Sequence, residues 1–177
     1  VLLLAMLSGL ALPLLKIPLH NLSAWVWLKM GKSIIFPVFF CVNDGTSTLE
    51  SCVSYIANTV IPAFGISLFF TGLLWFCLPK KKKLLTAFII AISLAVFSLN
   101  PVDFLGLFAC GLWLSFLRDK ANNVYAPFLA LLSSGIMELF ITSLVPSVDI
   151  TMVQVYSDIS PTILYSSAPS FIAGLIL

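Results

Sequence analysis

Moving a proton or holding a metal takes His, Asp, Glu or Cys, and this chain of 177 residues has one histidine, seven carboxylates and four cysteines. His20 stands alone, so a site needing a histidine pair, such as a zinc centre with two ring-nitrogen ligands, cannot be assembled from these residues. A serine-protease dyad would have to bring His20 from outside the central helices into hydrogen-bond reach of Ser67, Ser133 or Ser134, and is disfavoured. Cys41 and Cys52 flank a polar loop and could form a disulfide if that side is oxidising. Cys77 and Cys110 lie in apolar runs, and no CxxC spacing points to a metal. Catalytic, metal-ligating and cofactor-binding residues are therefore expected to be absent.

Glu138 is the one carboxylate deep in an apolar run. A charge at the centre of a bilayer costs about 2.5–3.5 kcal/mol on insertion scales, so Glu138 needs a partner or a role. It could be a proton or cation site, or a polar contact with a partner chain. The reading favoured by Pro146, about two helical turns further on, is a residue near the outer end of its helix, protonated or reaching to water.

The elements that position these residues follow from composition. With 60% hydrophobic and 9% charged residues, no packed soluble core could hide the apolar surface, and lipid must solvate much of the chain. The expected fold is all-α, a polytopic transmembrane helical bundle of six or seven membrane segments in a single domain, 1–177. Val1–Leu15 lacks the basic flank and cleavage site of a signal peptide and reads as part of a first membrane helix. After Lys16, Pro18 and His20, the run Ser23–Val42 reads as a helix that starts among headgroups at Trp25, Trp27, Lys29 and Lys32 and enters the membrane through Ser33–Cys41, bent at Pro37. Asn43-Asp44-Gly45 is a turn, Val53–Leu78 crosses back, and Leu84–Leu99, Phe104–Leu117 and Val124–Leu144 follow. Ser147–Thr162 reads as a short amphipathic element on the outer surface and Ile163–Leu177 as a last helix.

In this register Lys80–Lys83 and Arg118–Lys120 fall on one face, expected to be cytoplasmic, and Asp44, Glu50, Asp103, Asp149 and Asp158 fall on the other. The glycosylation signal Asn21-Leu22-Ser23 falls on the cytoplasmic face and is discounted. The net charge of +2 is too small and scattered to suggest nucleic acid. Small residues recur four apart at Ala87, Ala91 and Ala95, at Gly106 and Cys110, at Gly111 and Ser115, and at Ala130 and Ser134. Such rows let helix backbones approach closely, within this chain or against a partner subunit.

Three stretches of the centre carry a pattern of their own. They are Ile66-Ser67-Leu68-Phe69-Phe70-Thr71-Gly72, Ser93–Pro101, and Gly111–Arg118 continuing through Asn123-Val124-Tyr125-Ala126-Pro127-Phe128-Leu129. Together, over 63–135, they resemble the CAAX-protease and bacteriocin-processing (CPBP) family of intramembrane metalloproteases. In that family a Glu-Glu pair precedes Phe-Arg-Gly, a later Phe leads to a His, and a Gly-Ser-Leu-Trp-Ala-Pro segment runs into a second His followed by Asn or Asp. Phe70, Gly72 and Phe97 match the framework. Ile66 and Ser67 stand where the glutamates belong, Thr71 where the arginine belongs, Asn100 or Pro101 in place of the first histidine, and Leu131 and Gly135 in place of the final His and Asn. The resemblance thus implies a pseudoenzyme, with nothing left to activate water.

Three functions come into question for such a chain. The first is a non-catalytic accessory or structural subunit that docks other membrane protein subunits in the lipid bilayer. The second is a small-molecule binding or transport component, like the six-helix vitamin-binding subunits of energy-coupling transporters, which should show a polar cluster opening to the outer face. The third, an active intramembrane protease, is disfavoured by the lack of histidine in the central helices.

Overall fold

Long apolar runs without charged interruptions fold as helices because each backbone N–H and C=O is then satisfied within its own segment. The structure, a computed structural model, describes residues 2–30, 34–35, 56–79, 82–98, 100–144, 155–156 and 172. It is all-helical apart from one two-residue ladder. Five helical segments make up the described bundle: α1 (Leu2–Lys29), α2 (residues 56–77), α3 (Lys83–Phe97), α4 (Phe104–Ala121) and α5 (Tyr125–Leu144). Leu2–Trp27 within α1 is long and apolar enough to cross a membrane, while Ile61–Cys77 and Lys83–Phe97 are apolar but shorter.

Two local expectations are corrected. The sequence suggests a break at Lys16–His20, yet α1 runs through it, with Pro13 and Pro18 inside the helix. Proline removes a hydrogen bond without ending a helix when neighbouring helices hold it in place, and α1 is packed along α5 and α4. The second is helical structure through Ser33–Cys41; the amphipathic element over Ser147–Thr162 lies outside the described residues except at Val155–Tyr156. Ile34–Ile35 instead pairs antiparallel with Val155–Tyr156, with Ile34 opposite Tyr156. Three of these four residues are β-branched and the fourth is aromatic, the types that suit a pleated surface. The disulfide pair Cys41 and Cys52 and the bend at Pro37 lie outside the described residues.

α2 changes its winding along its length. Ile56–Val60 and Ser67–Leu74 are π-helical, and Ile61–Ile66 and Trp75–Cys77 are α-helical. Leu78 then turns extended ahead of Pro79, the conformation a following proline favours. α3 and α4 are joined by a tight turn in which the Asn100 side-chain carbonyl accepts the Val102 N–H at 3.1 Å. α4 ends on Asn122 in the left-handed region, φ 49°, with Arg118 and Lys120 in its last turn, where cations complement the helix dipole.

Ile90, Leu94, Phe70, Leu114, Leu117, Ala126, Ala130 and Ala5 form the buried core. Two glycines set the closest approaches. A Cβ on Gly111 would sit 2.6 Å from Ala91 Cα, so α3 and α4 touch backbone to backbone. A Cβ on Gly9 would run into the Ala130 backbone, which brings α1 equally close to α5. Of the small-residue row Ala87, Ala91, Ala95, Ala91 therefore meets α4 of its own chain, and Ala91 and Ala95 are buried. Hydroxyls within the bundle bond back to their own helices, Ser115 to Gly111 O at 2.8 Å and Thr71 to Ser67 O at 2.8 Å.

Candidate functional site

Polar side chains collect in two layers at opposite ends of α4. At its start, Asp103 precedes the first turn and its carboxylate is held from two directions. His20 Nδ1 donates to Oδ1 at 2.8 Å, and Asn100 Nδ2 donates to Oδ2 at 2.8 Å. Burial pushes the Asp103 carboxyl up, but the hydrogen bond and charge of His20, with Lys16 and Asn100, outweigh it and hold the group below its ordinary 3.8. His20 comes from α1, so this pair spans 83 residues of sequence.

One turn back along α1, Lys16 Nζ lies 3.7 Å from Glu138 Oε1 of α5. Glu138 thus has a cationic partner, and with its side chain 50% exposed it is not sealed in the core. The stem of Lys16 also covers Gly106, where an added Cβ would come within 2.9 Å of Lys16 Cγ. Cys110, half-buried, sits against the hydrophobic core further along α4.

The opposite layer is built around Arg118 near the end of α4. Its Nε donates to the Thr71 carbonyl in the π-helical part of α2 at 3.0 Å, and its Nη1 is buried with no hydrogen-bond partner among the described residues. Beside it Lys83 Nζ pairs with Asp119 at 2.6 Å, tying the start of α3 to the end of α4. A cavity of about 420 Å³ opens here, lined by Trp75, Phe76, Leu78, Lys83, Thr86, Arg118, Asp119 and Asn122.

The residues singled out in sequence are only partly gathered. Phe70 and Phe97, the two framework aromatics, meet edge to face with ring centres 5.8 Å apart. Ser67 is buried and its hydroxyl has no partner among the described residues. Thr71 is met by Arg118, while Leu131 packs against the core and Gly135 against Thr59. Sequence reasoning missed the His20–Asp103–Asn100 group because it placed His20 and Asp103 on opposite faces. It also missed the inward role of Arg118, which it read as a loop charge. The lone histidine and the Asn-Pro turn were the available signals.

Among the described residues, no three His, Cys, Asp or Glu side chains come together in a way that could hold a metal ion. Comparison with protein-family models, with curated proteins and with solved structures finds no match to the chain.

Proposed function

We propose that the chain is a non-catalytic integral membrane protein that acts as a structural or accessory subunit of a larger membrane complex. One observation supports it above others: α2, α3 and α4 present large apolar side chains outward between the two polar layers. Leu68 on α2, Ile92 on α3 and Trp113 on α4, each away from both layers along its helix, are 47%, 47% and 36% exposed. From Asp103 to Asp119 α4 rises about 24 Å, close to the ~30 Å hydrocarbon thickness of a bilayer. Polar ends separated by an exposed apolar belt of that height suit lipid and not water.

In this reading the five described helices cross the membrane, with further segments outside the described residues bringing the total to six or seven. The lysines at 80–83 and Arg118–Lys120 face the cytoplasm, in keeping with the bias of cationic loops. Ala91 in the small-residue row of α3 is taken up by Gly111 of α4, and aromatic faces are offered to partners. Trp113 and Phe116 stack on α4 with ring centres 5.3 Å apart and both rings exposed. The degenerate CPBP-like core, 63–135, would then serve as a helical scaffold.

The reading is tested by washing membranes that contain the full chain with alkaline carbonate, then purifying it in mild detergent and identifying by mass spectrometry what stays bound. Retention in the membrane and stoichiometric co-purifying membrane proteins are the expected result. Release by carbonate removes the membrane assignment. A monodisperse monomer carrying a small molecule removes the subunit assignment and favours a binding or transport component.

A further inference from the structure

We propose that the cavity between α2, α3 and α4 binds a phosphate-bearing anion, through Arg118 as the primary ligand and Lys83 as the second. Arg118 is committed on one edge only. Its Nε is fixed on the Thr71 carbonyl at 3.0 Å, which orients the planar guanidinium, while the buried Nη1 has no acceptor among the described residues. A guanidinium carries five donors in a fixed fork and stays charged, and a buried donor left unmade costs free energy. Phosphate oxygens match that fork in pairs.

The rest of the lining suits the same ligand. Lys83 adds a second cation; it pairs with the half-buried Asp119, but its own side chain is exposed, so an incoming anion can share the ammonium. Among the described residues of the wall Asp119 is the one acidic group, and with Arg118 and Lys83 their charges sum to plus one. Asn122 contributes a neutral amide. Thr86, whose hydroxyl donates to Pro79 O at 3.3 Å, closes the floor. Trp75, Phe76 and Leu78 make the remaining wall apolar, and Lys82 continues the basic run just outside. A volume of about 420 Å³ falls within the range of small-molecule pockets.

A phosphodiester headgroup with its acyl chains along Phe76 fits this mixture of fork, cation and apolar wall, and basic pockets between helices at the cytoplasmic face are where anionic headgroups collect. Free phosphate shares the recognition chemistry. The lipid source rests on the membrane reading above; the anion site itself does not.

The test uses the full chain in a neutral detergent, with phosphatidylglycerol, phosphatidylcholine and inorganic phosphate as separate probes and native mass spectrometry as the readout. Arg118→Gln is compared with Lys120→Gln, which removes the same charge from the same end but outside the cavity. Retention of phosphatidylglycerol over phosphatidylcholine should fall about tenfold or more in Arg118→Gln and stay unchanged in Lys120→Gln, as loss of a charged hydrogen-bonding fork requires. Should Arg118→Gln lose its monodisperse elution profile, Asp119→Asn supplies the second reading, because removing the opposing carboxylate should raise retention. Arg118-dependent binding of inorganic phosphate without lipid preference keeps the site and names a soluble ligand. Equal retention of both lipids with no phosphate binding overturns the proposal, as does an equal loss in both glutamine variants.

Discussion

The contact between Gly111 and Ala91 allows a quantitative test of how α3 and α4 are held together. Replacing Gly111 with Ala adds a Cβ 2.6 Å from Ala91 Cα, where ordinary contact needs about a further ångström. The obstructing atom is backbone, so no side chain can swing aside and the two helices must separate. Overpacking of this kind costs about 1–3 kcal/mol. Alanine also has the better helix propensity, by about 0.8–1.0 kcal/mol, which offsets part of that cost. Gly65 on α2 provides the correction, because a Cβ there meets nothing within 4 Å. Gly65→Ala reports propensity alone, so the difference between the two variants isolates the steric cost at about 1–3 kcal/mol. Unfolding by SDS titration of the full chain in mixed micelles, followed by tryptophan fluorescence, measures both. A Gly111→Ala protein as stable as Gly65→Ala would refute the backbone contact between α3 and α4.

Other consequences can be measured on the same footing. Because the Asp103 carboxyl is held below 3.8 in the folded chain, the stability it contributes is complete above that value and is lost as the pH falls through its lower folded-state value; unfolding midpoints from pH 5 to pH 2 should show wild type and Asp103→Asn converging with acid. Ser67→Ala removes a buried hydroxyl with no described partner, and should leave stability unchanged or raise it by about 1 kcal/mol in the same titration. Lys16→Glu places a second carboxylate beside Glu138 and should destabilise, while adding Glu138→Lys should restore most of the loss. A double-mutant cycle on the 3.7 Å pair should return a coupling of about 1 kcal/mol or less if both groups reach water.

How far the sequence reaches is clear from particular residues. Small residues four apart announce close helix approach in any register, and Ala91 against Gly111 is such an approach. Glu138 announced the need for a partner, but nothing local names Lys16, which lies on a different helix. His20 and Asp103 were separated by one assumption, that Lys16, Pro18 and His20 interrupt the first helix; tertiary packing keeps α1 continuous and brings the two together. The π-helical winding of Ser67–Leu74 leaves no mark in its residues, which would read as an apolar α-helix. Within that stretch the Thr71 carbonyl accepts from Arg118, 47 residues away, a contact no local pattern announces.

On the membrane reading proposed above, the unequal lengths of α1 and α4 have a consequence for the surrounding lipid. At about 1.5 Å per residue α1 is about 42 Å long and α4 about 27 Å. In a bilayer the longer helix must tilt, stand clear of the acyl region or thicken the lipid beside it, whereas the shorter is matched by a thin one. Two neighbouring helices of one molecule would then favour different local thicknesses. A protein of this shape would sort between membranes by thickness and would collect long-chain lipids along α1 and short-chain lipids along α4.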